Sequence, residues 1–177
     1  MVGNEKFRAF YGTDSYDYLN RCRELALERF GNSTSDEEKE NILKIYTISP
    51  LKLLDEKVTQ QVSENNLLIF IPFEGSGELF KIRPSRYSTY SPLISMSKNQ
   101  EIILTIENIG SKDTANIKTK FNNELDSLKS YVNDLKNDIE NHNTLLKNSL
   151  NSRLALNKGK SKSIEEKIKD LGIPERK

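Results

Sequence analysis

Between Ser111 and Lys158 the chain runs for 48 residues without a glycine or a proline. Those two residues are the strongest interrupters of a helix, one through backbone entropy and the other through its missing N–H. Their absence permits one long helix, and the apolar residues agree with it. Ile117, Phe121, Leu125, Leu128, Val132, Leu135, Ile139, His142, Leu146, Leu150 and Leu154 recur three or four positions apart, forming a near-heptad seam on one face. At ~1.5 Å per residue such a helix reaches roughly 60–70 Å. The rest of its surface is polar, so the seam needs cover. The preceding half of the chain, a second copy, or a segment after Lys177 would each supply it.

Gly159, set among Lys158, Lys160 and Lys162, predicts a turn. Ser163-Ile164-Glu165-Glu166 has capping-box spacing, and Ile164, Ile168 and Leu171 share a face until Gly172 and Pro174 stop the pattern. A short return helix is expected, closing an αα-hairpin over part of the seam.

Upstream of residue 110 the periodicity is different. Thr13 or Asp14 can cap a helix that ends at Phe30-Gly31, with a stripe of Tyr18, Cys22, Leu25, Ala26 and Arg29. Ser35-Asp36-Glu37-Glu38 opens a second short helix, and residues 42–48 fit either its end or a strand before Pro50. Leu67 to Ile71, Leu79 to Arg83 and Ile102 to Ile106 read as strands, with Gly75-Ser76-Gly77 as a turn. The fold class expected is α+β: a small, mostly antiparallel sheet with short N-terminal helices, then a long α-helix and a short return helix. Residues 1–110 would form an α/β N-terminal domain and 111–177 a helical hairpin or coiled-coil segment.

The supply of reactive residues narrows the chemistry. One cysteine, Cys22, excludes an internal disulfide, and with one histidine, His142, it excludes the ordinary zinc sets. Cys22 lies on the helix stripe, where a free thiol packs as a small hydrophobe. A histidine-dependent nucleophile would have to use His142, whose place on the seam points to packing instead. Gly159-Lys160-Ser161 lacks the upstream glycine and strand of a phosphate loop. The triplets Glu37-Glu38-Lys39 and Glu165-Glu166-Lys167 have nuclease-like E-x-K spacing, but both follow capping residues, where acids suit the helix dipole. No catalytic residue, cofactor site or metal site is expected. The first residues lack the apolar core of a signal peptide, and the apolar run at Leu67–Phe73 is far short of the ~20 residues that span a bilayer. A cytoplasmic protein with no membrane partner is expected.

Charge is balanced overall, at 27 basic and 26 acidic residues, but residues 147–177 carry 9 basic against 4 acidic. A nucleic-acid surface would draw on Lys158, Lys160 and Lys162 there, and on Lys81, Arg83, Arg86 and Tyr87 in a stretch with no acid between Phe80 and Tyr90. A solvated helix end and a turn loop explain the same residues.

Several short words from residue 71 onward carry a resemblance: Ile71-Pro72-Phe73-Glu74-Gly75, Glu78-Leu79-Phe80, Arg83-Pro84-Ser85, then Asp138, Asn143 and Arg153 on the long helix, and Leu171-Gly172-Ile173-Pro174. In that order they resemble the N-terminal region of large, mostly uncharacterised bacterial multidomain proteins. In these proteins a β segment and a helical hairpin ending in Leu-Gly-Ile-Pro lead into a C-terminal effector domain of restriction-endonuclease-like or TIR type. The resemblance covers residues 71–177 and implies structural roles. Glu74-Gly75 would turn, Arg83-Pro84 would end a strand, and Asp138, Asn143 and Arg153 would make polar contacts along the hairpin. It implies chemistry only after Lys177, and a place in antiphage defence.

Together these readings predict a non-catalytic sensing, scaffold or dimerisation region. Ile117, Phe121, Leu125, Leu128, Val132, Leu135, Ile139, Leu146 and Leu150 would form its interface, with a second chain or with an effector domain of the same protein. On that expectation a charge at Leu128 or Leu135 breaks self-association without unfolding the sheet.

Overall fold

The computed structural model describes residues 14–86, 95–96 and 100–170. Its helices are α1 (Ser15–Phe30), α2 (Asp36–Tyr46) and α3 (Thr114–Asp170). Its strands are β1 (Lys52–Leu53), β2 (Thr59–Ser63), β3 (Asn66–Glu74), β4 (Ser95–Met96) and β5 (Glu101–Ile106), with 3-10 turns at Asp55–Lys57, Gly77–Lys81 and Ile109–Ser111. The class is α+β, as the change of period at residue 110 predicts. Two compact units divide the chain, and the division does not fall at residue 110. One unit takes Met1–Tyr18 and Ser49–Glu140, the other Leu19–Ile48 and Asn141–Lys177. Both α1 and α3 contribute residues to each.

The first unit is built on the sheet. β3 is its centre, with β5 on one side and β1 and β2 sharing the other, all antiparallel; β4 extends it beyond β5. The register sets Ile69 opposite Leu104 and Ile71 opposite Ile102. Paired residues share a face, so Ile69, Ile71, Phe73, Ile102, Leu104 and Ile106 make one apolar surface, and all six are buried. The first half of α3 supplies Leu128, Tyr131, Val132, Leu135 and Ile139 to the same unit's core. Each such side chain contributes about 1.5–3 kcal/mol on full burial.

The second unit is helical. Ala26 and Phe30 of α1, Ile42 and Tyr46 of α2, and Leu146, Leu150 and Leu154 of α3 form one buried cluster. Every one of these sets steps by four residues, so each helix presents a single i, i+4 ridge. Ser35 caps α2, its hydroxyl oxygen accepting from the Glu38 N–H at 3.2 Å. Gly31 ends α1 at φ +54°, donating its N–H to the Leu27 carbonyl at 3.0 Å.

Three local expectations are corrected and one open alternative is resolved. Gly159 makes no turn: α3 runs through it to Asp170, so the return helix expected from Ser163 is simply more of α3. A helical glycine costs only about 1 kcal/mol against alanine, and it stops a helix when the chain adopts positive φ, as at Gly31 but not at Gly159. Residues 79–83 form no strand. Leu79 and Ile82 are both buried, which a strand would place on opposite faces and a 3-10 turn places on one. The stretch 42–48 is helix as far as Tyr46, because Ile42 and Tyr46 are buried together at helical spacing. The α1 stripe follows Tyr18, Leu19, Cys22, Ala26 and Phe30; Leu25 is half-buried and Arg29 exposed.

Candidate functional site

The predicted interface residues fall into three groups. Leu128, Val132, Leu135 and Ile139 are buried within the first unit, and Leu146 and Leu150, with Leu154, within the second. The chain itself covers this part of the seam, which corrects the expected effect of a charge at Leu128 or Leu135. Placing an ion there removes core packing and leaves a buried charge unpaired, so such a variant unfolds rather than dissociates. Ile117, Phe121 and Leu125 are only half-buried. Ile117 and Phe121 line a groove of about 500 Å³ with Val58, Thr59, Gln60, Leu67, Ile69, Thr114 and Lys118.

Polar side chains on α3 act as fasteners. The Asp138 carboxylate accepts from the Ser15 hydroxyl at 2.5 Å, the Ser85 hydroxyl at 2.6 Å and the Ser85 N–H at 2.8 Å. Beside it the Ser15 N–H donates to the Arg83 carbonyl at 2.7 Å, and the Arg83 guanidinium pairs with Asp14 at 3.4 Å. Asp14 also caps α1 through the Tyr16 N–H at 2.8 Å. The start of α1, the Arg83–Ser85 turn and α3 are thereby tied at one point. Tyr131 adds a second tie, its hydroxyl 2.5 Å from the Ile82 carbonyl and its ring stacked on Phe80 with centroids 6.1 Å apart.

The second unit repeats the device. Asn143 accepts from the Ile48 N–H at 3.0 Å and donates to the Ile48 carbonyl at 2.9 Å, an amide closing on a backbone amide. Arg153 donates to the Gly31 carbonyl at 3.3 Å, and Asn157 donates to the Gly31 and Ser33 carbonyls at 3.1 and 2.9 Å. These carbonyls at the end of α1 lack helical partners, so the side chains complete the cap. Asp138, Asn143 and Arg153 therefore do make polar contacts, but with turns near the N-terminal helices instead of a returning helix. Tyr131, Ser15 and Asn157 carry no motif of their own, and Ser85 stands in the sequence only as the end of Arg83-Pro84-Ser85. A tyrosine and an asparagine at the margin of a helical stripe were the available signals.

His142 is buried, with Nε2 3.4 Å from the Tyr46 carbonyl oxygen and no hydrogen-bond partner of ordinary geometry at Nδ1. Burial holds its pKa below the usual histidine value; hydrogen bonding to the Tyr46 and Leu19 backbone opposes this, and the nearby Arg23 charge reinforces it. The ring is thus a packing group whose uncharged form burial favours. Cys22 is buried too.

The residues named for nucleic acid are dispersed. Lys81 pairs with Glu78 at 2.6 Å and Lys158 with Asp36 at 2.5 Å, while Arg86 is exposed and Tyr87 lies outside the described residues. Lys160 sits two residues from both Lys158 and Lys162, so it points to the other side of α3. Among the described residues there is no cluster of three metal-ligating side chains, and no helix is long and apolar enough to cross a membrane. The closing word Leu171-Gly172-Ile173-Pro174 also lies outside the described residues.

No family model, curated protein or solved structure matches the chain.

Proposed function

We propose that this chain is a non-catalytic scaffold from a larger bacterial cytoplasmic protein, one that self-associates and so brings together effector domains following Lys177. What supports the reading is the use of polar groups along α3. Asp138, Asn143, Arg153 and Asn157 are all spent on the chain's own turns, and His142 faces a backbone carbonyl. A helix fastened in this way transmits position well and has little left for acid–base work. The resemblance from residue 71 onward points the same way, to a region placed before an antiphage effector of restriction-endonuclease-like or TIR type. Because the chain buries Leu128 to Leu154, association must use another surface.

Sedimentation equilibrium on the intact chain tests this. A reversible dimer is expected, and a monomer at every concentration would overturn the reading. The competing nucleic-acid module predicts anisotropy changes with labelled single strands that fade steeply with salt.

A further inference from the structure

We infer that two copies of this chain join edge to edge through β2, their sheets continuing across a two-fold axis at Gln61. This inference rests on the self-associating scaffold reading and names its surface.

The argument begins at the turn. β2 and β3 are joined by Glu64 and Asn65, with Ser63 opposite Asn66. In a hairpin with a two-residue connection, the pair flanking the turn exchanges both backbone hydrogen bonds, and the pattern then alternates. Ser63, Gln61 and Thr59 therefore turn their N–H and C=O groups toward β3. Gln60 and Val62 turn theirs away. Among the described residues no strand pairs with that outer edge, and all five residues of β2 are exposed.

Sheet edges are ordinarily guarded by a lysine, a proline or an inward charge, because an open row of donors and acceptors recruits another strand. Thr59-Gln60-Gln61-Val62-Ser63 has none of these. The charges stand just outside, Lys57 before the strand and Glu64 after it, and neither makes an ion pair with any described residue.

This layout is complementary to itself. Antiparallel pairing about Gln61 sets Gln60 of each copy opposite Val62 of the other, so the outward groups satisfy each other reciprocally. The same register sets Glu64 opposite Val58 of the other copy, one residue along from Lys57, at both ends. Sliding the strands by two residues, the next register that keeps each side chain on its face, can set Glu64 against Glu56 of the other copy. The charges thus count against that slide, and the slide the other way, centred on Val62, leaves Glu64 opposite Gln60 with no opposite charge beside it.

The side chains also gain cover. Val62 pairs with Leu67 and Gln60 with Ile69, so Val62 and Gln60 project on the sheet face that carries α3. Val62 is 61% exposed there. In the paired state Val62 of the second copy lies across Gln60, at the mouth of the groove lined by Val58, Leu67, Ile69, Ile117 and Phe121. The half-buried Ile117 and Phe121 acquire a neighbour by this route.

Sedimentation equilibrium on the full chain and its variants decides the matter. Gln61→Lys places two ammonium groups face to face on the axis and should raise the dimer dissociation constant about tenfold or more. Lys57→Glu and Glu64→Lys should each weaken the dimer, and the double variant should restore it. Gln60→Pro removes an N–H that the β2–β3 ladder does not use, and should also yield monomers. Circular dichroism checks that each variant is folded. If Gln61→Lys proves unfolded, the exposed charge pair still decides. A dimer indifferent to Gln61→Lys and to the charge reversal would overturn the β2 interface and leave self-association standing. A wild-type chain that stays monomeric would remove both.

Discussion

The two halves of α3 make an instructive pair. Each carries an apolar stripe of the same kind, with steps of three or four residues. In the first unit that stripe, Leu128 to Ile139, is buried in the unit whose other apolar surface is a sheet face, and Tyr131 widens it with a hydroxyl aimed at a turn. In the second unit, Leu146, Leu150 and Leu154 form a narrow ridge that meets the ridges of α1 and α2. A helix stripe therefore announces that it will be covered and says little about the covering. The flanking residues carry that information. A large aromatic side chain such as Tyr131 widens the stripe toward an irregular neighbour, whereas a run of i, i+4 steps suits another helix.

The strongest way to break this comparison is to hollow each half in turn. Leu135→Ala and Leu150→Ala should each cost about 2–5 kcal/mol, since both side chains are fully enclosed. Hydrogen exchange should then report different losses. Leu135→Ala is expected to expose amides of β3 and β5, and Leu150→Ala those of α1 and α2. Equal loss everywhere in both variants would mean that the units behave as one.

A pair of glycines sharpens the contrast at smaller energy. Gly31→Ala forces a side chain into positive φ and should destabilise the chain by about 1 kcal/mol. Gly159→Ala lies in mid-helix with open space around the new methyl, and should stabilise α3 by about 0.5–1 kcal/mol. Thermal midpoints should move in opposite directions. The same direction for both would contradict the helical state of Gly159.

The smallest effect concerns pH. His142 binds its proton less readily folded than unfolded, so the unfolded chain takes up more protons once pH falls below about 6.5, the ordinary histidine value. Its contribution is intact above that pH and is lost as pH drops toward the lower folded value. Denaturant midpoints should fall over this window, and His142→Leu should flatten the fall. An unchanged slope would show that His142 is not the group responsible.

These residues also show which inferences a sequence supports. The long helix, its seam, the Ser35 cap, the Gly31 stop and the central strands β3 and β5 were legible, because each depends on neighbours a few positions away. The lone glycine at 159 misled, since local chemistry assigned it a turn that a long flanking helix overrode for a small cost. Residues 79–83 misled because Leu79 and Ile82 answer to Tyr131, some fifty positions later. β2 was illegible: five polar or β-branched residues with no burial pattern become a strand only because β3 pairs with them.

By itself, then, the amino-acid order determined the α+β class, the period of every long element, and the absence of an ordinary disulfide or zinc set. The tertiary structure alone decided what covers the seam, which polar residues of α3 meet which turns, and which strand edge is left without a partner among the described residues. Periodicity and capping are local properties with energies set within a turn or two. Burial and edge exposure depend on which distant segments arrive first-hand against one another, and no window along the chain contains both sides of that contact.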